Sequence, residues 1–401
     1  MLLRCKGNFS EKYKCTDLRE RRVEQNKIRI QLTKPWIEDA EYRAIEEVLN
    51  SGYLTDGQVT HQFEKEVADY VGVQHAVATT SCATALDLAL RALGVTQGDE
   101  VIVPDFTHPA TANVVKLVGA KPVLVPVDPK TYNVTPEILE AAVTERTKCL
   151  LPVSLFGQPL DMKRIMKLAK EKGLFVIEDA ACSIGAIFDG VKTGSLPDVT
   201  CFSFHPRKVI TTGEGGMLVT NNENWATLAR SMKHFGVSGT WPGTKIAKFT
   251  TTGTNYKLTN IQSAIGRVQL KRIEKIISTR RQKAKIYDEL LAKLNFIKAP
   301  FVPSKAHHIY QTYCTQLDPS INRNAVIEAM AEKGIETQIG SYCLHIQPNF
   351  ANEKRHGDLS SSKRVYEQSL ALPLHKDITE EDQKFIVQTL KEIFNKHQGS
   401  S

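Results

Sequence analysis

No apolar run in the 401-residue chain approaches the roughly 20 residues that a membrane-spanning helix needs. The opening stretch, MLLRCKGNFSEKYK, has no apolar core of secretory-signal length, so a cytoplasmic location is expected. None of the eight cysteines (5, 15, 82, 149, 182, 201, 314 and 343) forms a C-x-x-C pair. That spacing argues against a zinc site or a dithiol redox motif, and no metal is expected. Cys149, Cys182 and Cys201 lie in or beside apolar runs and read as small core residues, reduced as in a cytosolic protein. No internal repeat is present.

An even spread of charge is also missing. The formal net charge is +8, yet residues 1–29 hold nine Lys/Arg against four acids, a net of +5. The excess is mostly a property of this N-terminal extension, which reads as a solvated or loosely docked arm. It lacks the interleaved aromatics of a nucleic-acid-binding motif, so nucleic acid is not the expected partner. The length suffices for two domains and a large core.

From Ile30 onward, apolar runs of strand length alternate with helical stretches. The runs are His75–Thr79, Val101–Val103, Pro122–Val127, Cys149–Val153, Leu174–Ile177, Thr200–Phe204 and Met217–Thr220. Helices are expected near 37–49, 60–70, 84–94, 109–118, 135–143 and 161–172. This alternation implies an α/β fold, with a mostly parallel seven-stranded sheet covered by helices. Residues 236–256, rich in Gly, Thr and Lys, read as a long loop. One long helix is expected from about Asn260 to Leu294. A smaller α/β unit should follow, with a strand near 309–317 and helices at 323–333 and 379–395. The expected division is an extension at 1–29, a large domain at 30–256, a connecting helix at 257–298 and a small C-terminal domain at 299–398.

The chemistry concentrates in Cys201-Phe-Ser-Phe-His-Pro-Arg-Lys208-Val-Ile-Thr-Thr-Gly213-Glu-Gly-Gly216. One lysine is held on a tight loop between two apolar runs. Poor solvation there should lower its pKa and make the amine a usable nucleophile. Lysines of this kind form Schiff bases with pyridoxal phosphate. Binding sites in such sheets lie at the carboxyl ends of the strands, where three more segments converge. In Thr79-Thr-Ser81-Cys82-Ala83-Thr84, a strand ends and a helix begins, offering free N–H groups to a phosphate. Taken alone, it reads as an ordinary cap made by Ser81. In Val176-Ile-Glu178-Asp179, an acid ends a buried strand, where it needs a cationic partner such as a protonated pyridine nitrogen. Taken alone, Asp179 reads as a cap for the next turn. Pro104-Asp-Phe106-Thr-His108 carries a ring able to stack on a cofactor, although a lone histidine is usually an ordinary surface or core residue. Ser203, five residues before the lysine, is placed to donate to a phosphate.

Taken together, these segments resemble the DegT/DnrJ-type nucleotide-sugar aminotransferases, a branch of the fold-type I pyridoxal-phosphate (PLP) enzymes. The resemblance runs from about Ile30 to Phe394. It is carried by Asn50-Ser-Gly-Tyr-Leu-Thr-Asp-Gly57, Glu178-Asp-Ala-Ala, Phe202-Ser-Phe-His through Gly216, Asn255-Tyr-Lys-Leu-Thr-Asn-Ile-Gln262 and Ala371-Leu-Pro-Leu-His375. It implies that Lys208 forms the Schiff base and shuttles protons, and that Asp179 pairs with the pyridine nitrogen. It places the ring of His108 on the cofactor, and Ser203 with the amides of Cys82 and Ala83 on its phosphate. Asn255 would reach the phosphate of the neighbouring subunit in a homodimer with shared sites, and His345 would lie near the sugar. The family often has Gly-Thr in place of Cys82-Ala83, which would move a hydroxyl contact to Thr84. It often has Gln in place of Cys182, a weak hydrogen-bonder beside the cofactor's phenolic oxygen.

The implied activity is ping-pong transfer of an amino group from glutamate to a nucleotide-linked 3- or 4-keto-deoxy-sugar, with pyridoxamine phosphate as the carrier. A sugar dehydratase of the same fold would have histidine for Lys208. An enzyme aminating a cyclic keto-alcohol would keep these motifs, and a binding protein using the basic arm would have no need of them.

Overall fold

The structure, a computed structural model, describes residues 28–398. The basic arm expected at 1–29 lies outside the described residues apart from its last two. Seven strands build the main sheet: β1 (His75–Thr79), β2 (Glu100–Pro104), β3 (Lys121–Val125), β4 (Thr147–Leu150), β5 (Phe175–Asp179), β6 (Val199–Ser203) and β7 (Gly216–Thr220). Their order is β1-β7-β6-β5-β4-β2-β3, and a two-residue strand, Lys354–Arg355, adds to the β3 edge. Only β7 runs antiparallel to its neighbours; all other pairs are parallel.

The strands are apolar on both faces because both faces are covered. Val101, Val103, Cys149, Ile177, Val199 and Cys201 face one layer of helices, chiefly α3 (Cys82–Ala92), α4 (Pro109–Leu117) and α7 (Glu223–Met232). Their neighbours in sequence, Ile102, Leu150 and Val176, point the other way, toward Ile165 and Leu168 of α6 (Met162–Lys172). On β6 and β7 the second face packs on Phe63 and Val67 of α2 (Gln58–Val71). The remaining helices of this part are α1 (Asp39–Ser51), α5 (Pro136–Ala141), α8 (Asn260–Lys271) and α9 (Ile273–Leu291).

Two expectations change here. The long helix over 260–294 is two helices, parted at Arg272 (φ −100°, ψ −2°). There the Arg272 guanidinium is drawn onto Glu41 (3.0 Å) and the Trp36 carbonyl (3.2 Å). The expected loop at 236–256 contains a hairpin, Val237–Thr240 paired with Ala247–Phe249. Its strands are exposed rather than buried, so no apolar run marks them.

The C-terminal part holds a four-stranded antiparallel sheet, Ile297–Lys298, Tyr313–Leu317, Ser369–Leu372 and Gln338–Ile339, in that order. The strand expected near 309–317 starts only at Tyr313, because the residues before it are used to clamp other elements. Ile309 N–H donates to the Gly157 carbonyl (3.1 Å) and Thr312 N–H to that of Phe156 (3.2 Å). Gln311 Nε2 donates to the Arg207 carbonyl (2.9 Å), beside Lys208. Arg280 of α9 donates to the Gln311 carbonyl (3.0 Å).

Within the clamp, buried His308 accepts the Tyr310 N–H on Nδ1 (2.8 Å), which requires that nitrogen to be unprotonated. Burial, helped by Arg281 and His307, lowers its pKa to about 3. An unfolded imidazole titrates near 6.5, so the stability His308 contributes is present above that value and drains away as pH falls toward 3. A His308→Gln variant should therefore show a shallower fall of Tm between pH 6.5 and pH 4 than the native chain, read by calorimetry.

The first residue of β7 meets the start of α3 closely. A Cβ on Gly216 would lie 2.3 Å from the Ser81 carbonyl atoms and 2.6 Å from the Cys82 nitrogen. Gly216→Ala should cost about 1–3 kcal/mol, since backbone must move, and a denaturant titration measures it.

Candidate active site

Strand periodicity decides which side chains meet. Ile177 faces α3 and α4, so Asp179, two residues on, faces them too at the end of β5. Cys201 and Ser203 share that face at the end of β6. Glu178 points to the opposite face.

Asp179 is buried and makes no ion pair among the described residues. One oxygen accepts the Thr111 hydroxyl (2.8 Å), and the other accepts the Ala181 N–H (3.1 Å) with the Cys82 thiol at 3.8 Å. His108 caps α4, its Nδ1 accepting the Ala110 N–H (3.2 Å). Thr111 follows three residues later, on the face of α4 that looks at Asp179. Partial desolvation lowers the His108 pKa, and so does the Lys208 ammonium, against an upward pull from Asp179.

Lys208 is half-buried, and its Nζ lies 3.2 Å from the Cys182 sulfur. The sequence led us to expect a lowered pKa; the structure reverses that direction. Burial does act to lower it, but Cys182, Cys82 and the Asp179 carboxylate together outweigh burial and hold the ammonium form above its usual range. The expectation counted the strand environment and not the groups converging from three other elements. Burial pushes the Cys82 and Cys201 thiols well up.

At the start of α3, the Ser81 hydroxyl accepts the Thr84 N–H (3.2 Å) in a capping box. The Cys82 and Ala83 N–H groups have no protein acceptor among the described residues, as expected in a first helical turn. The Thr84 hydroxyl, by contrast, is engaged with Ser81, accepting its N–H (3.0 Å) and donating to its carbonyl (2.8 Å). Ser203 is buried, and its hydroxyl accepts the His205 N–H at 3.4 Å. Asn255 is exposed and bonds only to the Lys257 N–H (3.4 Å) among the described residues. It does not join the Lys208 cluster within this chain.

Two of the quoted sequence segments meet outside the cluster. Asn260 accepts the Thr60 N–H (3.1 Å) and donates to the Tyr53 carbonyl (2.8 Å). Gln262 Nε2 reaches the Glu214 carbonyl (2.8 Å) in the Thr/Gly turn after Lys208. His345 approaches from the C-terminal part. The strand pair Tyr342–Cys343 with Phe106–Thr107 brings it beside the His108 segment, and Tyr342 meets the His108 ring edge-on at 5.9 Å.

Sequence reasoning missed Thr111 and Asp105. Thr111 was readable as the residue one turn after His108. Asp105 ends an apolar run as Asp179 does, and its carboxylate lies 2.7 Å from His345 Nδ1. Glu178, beside Asp179 in sequence, faces away from the cluster. Burial, helped by Asp179, raises its pKa to about 7, against hydrogen bonds from Ser154, the Gly194 N–H and Thr200.

The sheet order, the lysine loop and the strand-end acid define an α/β aminotransferase. A family model for the DegT/DnrJ/EryC1/StrS aminotransferases matches residues 35–391, and the chain belongs to that family. GDP-perosamine synthase from Caulobacter vibrioides is 38% identical over 369 residues, spanning 91% of this chain and 98% of that protein. The aminotransferase TlmJ from Streptoalloteichus hindustanus superposes with a TM-score of 0.86 at 30% identity, covering 92% of this chain and all of TlmJ. The putative sugar aminotransferase Spr1654 from Streptococcus pneumoniae, solved in PMP and PLP forms, gives 0.86 at 27% identity for the PMP form, over 92% of this chain and 99% of its own. The protein is thus a sugar aminotransferase of a PLP-dependent family, and none of its described helices is long and apolar enough to cross a membrane.

The residues fit the cofactor of that family. A buried carboxylate without a cationic partner suits a protonated ring nitrogen, and two free amides suit a phosphate. If Asp179 depends on its hydroxyl partner, Thr111→Val should lower stability by about 1–3 kcal/mol at neutral pH through the stranded oxygen, measured by urea unfolding.

Proposed function

We propose that the protein transfers an amino group from glutamate to a nucleotide-linked 3- or 4-keto-deoxy-sugar by a ping-pong cycle, using PLP. The observation that carries this reading is the convergence of Lys208, Asp179 and His108 at the carboxyl ends of β5 and β6, in a sugar-aminotransferase chain. When bound, PLP supplies an electron sink that stabilises negative charge on the substrate carbon. Lys208 would hold it through Nζ and would move protons at that atom. Asp179 holds the ring nitrogen protonated. His108 would pack against the ring, and Cys182, 3.2 Å from Lys208 Nζ, would lie near its phenolic oxygen. Ser203 and the amides of Cys82 and Ala83 bind the phosphate, with Thr84 holding the cap that presents them. His345 faces the sugar.

The active unit is a homodimer with shared sites. Asn255, exposed here, reaches the neighbouring subunit's phosphate. Tyr53, Leu54, Phe235, Trp241, Ile246 and Phe249 are exposed apolar side chains near that segment in sequence or at the Asn260 junction, as a subunit interface requires. The protein acts in the cytoplasm. Lys208, rather than histidine, supports amination over dehydration. The likeness to GDP-perosamine synthase favours a GDP-linked acceptor.

The test is the absorption spectrum of protein loaded with PLP. A visible band should appear, move to the near-ultraviolet on adding glutamate, and be absent in Lys208→Ala. A band that ignores glutamate would require another donor. No band in the native protein would remove the Lys208 assignment.

A further inference from the structure

We propose that Asp105 is a positioning residue: its buried carboxylate fixes the ring of His345 so that Nε2 is presented to a hydroxyl of the acceptor sugar. This rests on the reading that His345 faces the sugar.

Asp105 follows β2 and is fully buried. No Lys or Arg pairs with it among the described residues; its one ionisable partner within salt-bridge distance is His345. Every contact of the carboxylate goes to one short segment. Oδ1 accepts the His345 backbone N–H (2.8 Å), and Oδ2 accepts His345 Nδ1–H (2.7 Å) and the Cys343 thiol (3.3 Å). The Asp105 carbonyl accepts the Leu344 N–H (2.8 Å), and its own N–H is tied to the Val125 carbonyl of β3 (2.8 Å). The acid is thus rigid on the sheet and grips residues 343–345 at four points. Asp105, Cys343 and His345 are close enough to share an ion, but the 2.7 Å Asp–His separation is that of a direct hydrogen bond.

A carboxylate bound to Nδ1–H sets both ring orientation and tautomer. Nε2 is then left with its lone pair, the acceptor that a sugar hydroxyl needs. Nε2 has no protein partner among the described residues and is not among the buried unpaired atoms, so it is open to a ligand. The segment holding it pairs with Phe106–Thr107, directly before His108. Asp105 therefore connects the sugar-facing histidine to the cofactor-facing one through two residues of backbone. Glutamate, which has no sugar hydroxyl, makes no use of this contact.

The two half-reactions separate positioning from general structure. PLP-loaded native protein, Asp105→Asn, His345→Ala and the double variant are mixed with glutamate or with GDP-perosamine, and the visible band is followed in time. Asp105→Asn keeps the side-chain volume and should convert with glutamate at the native rate. With GDP-perosamine its half-saturating concentration should rise about tenfold or more, as for a lost charge-assisted hydrogen bond, and the double variant should be no worse than His345→Ala. The proposal is overturned if Asp105→Asn slows both half-reactions together, which would assign Asp105 to folding. It is also overturned if His345→Ala weakens the sugar step while Asp105→Asn does not, or if the two effects add. A native protein indifferent to GDP-perosamine would overturn the GDP-linked acceptor reading and this inference with it. That failure is recognisable because it strikes the unmutated chain.

Discussion

Burial of the Asp179 carboxylate without a cation is the constraint from which the site is built. An ionised acid in an apolar layer is expensive unless it is hydrogen-bonded and eventually paired. The chain meets the first need with Thr111 and the Ala181 N–H. Those donors dictate where α4 and the turn after β5 must lie. α4 in turn carries His108 on its cap, and α3 brings Cys82 against the same acid. No Lys or Arg pairs with the carboxylate among the described residues, so it would be free to take a cationic group of a ligand.

A second constraint concerns the lysine loop. Lys208 lies between strands of the large sheet, yet its neighbour Arg207 is held by Gln311 from the C-terminal part, through a segment that also grips Phe156 and Gly157. Gly157 has φ 93°, and an added Cβ would meet Ile309 at 2.7 Å and the Gln311 nitrogen at 2.9 Å. The loop's geometry therefore depends on packing between residues some 150 apart. Gln262 of α8 adds a second tie, to the Glu214 carbonyl. The loop that carries Lys208 is thus held both from the C-terminal part and from α8.

Most of the sheet was legible because buried parallel strands write themselves as apolar runs, and all seven main strands were marked this way. Elements that follow no such rule were not. The hairpin at 237–249 is exposed and so carries no apolar signature, and the break at Arg272 depends on where Glu41 of a distant helix stands. In the site, Asp179 stood out as a strand-end acid. Asp105 has the same mark and was passed over because its partner, His345, is 240 residues away in sequence. The Lys208 pKa failed for a related reason. Burial is visible locally, whereas the opposing groups at 82, 179 and 182 come from other elements.

By itself the sequence determined the α/β class, the strand segments, the lysine loop and the strand-end acid, since periodicity and local motif chemistry are properties of neighbouring residues. Tertiary structure alone decided which charged groups face one another, and hence the direction of the Lys208 shift, the commitment of Thr84 to its helix cap and the Asp105–His345 contact. Electrostatic interaction and hydrogen bonding depend on distances of a few ångströms, and separation along the chain does not specify those distances.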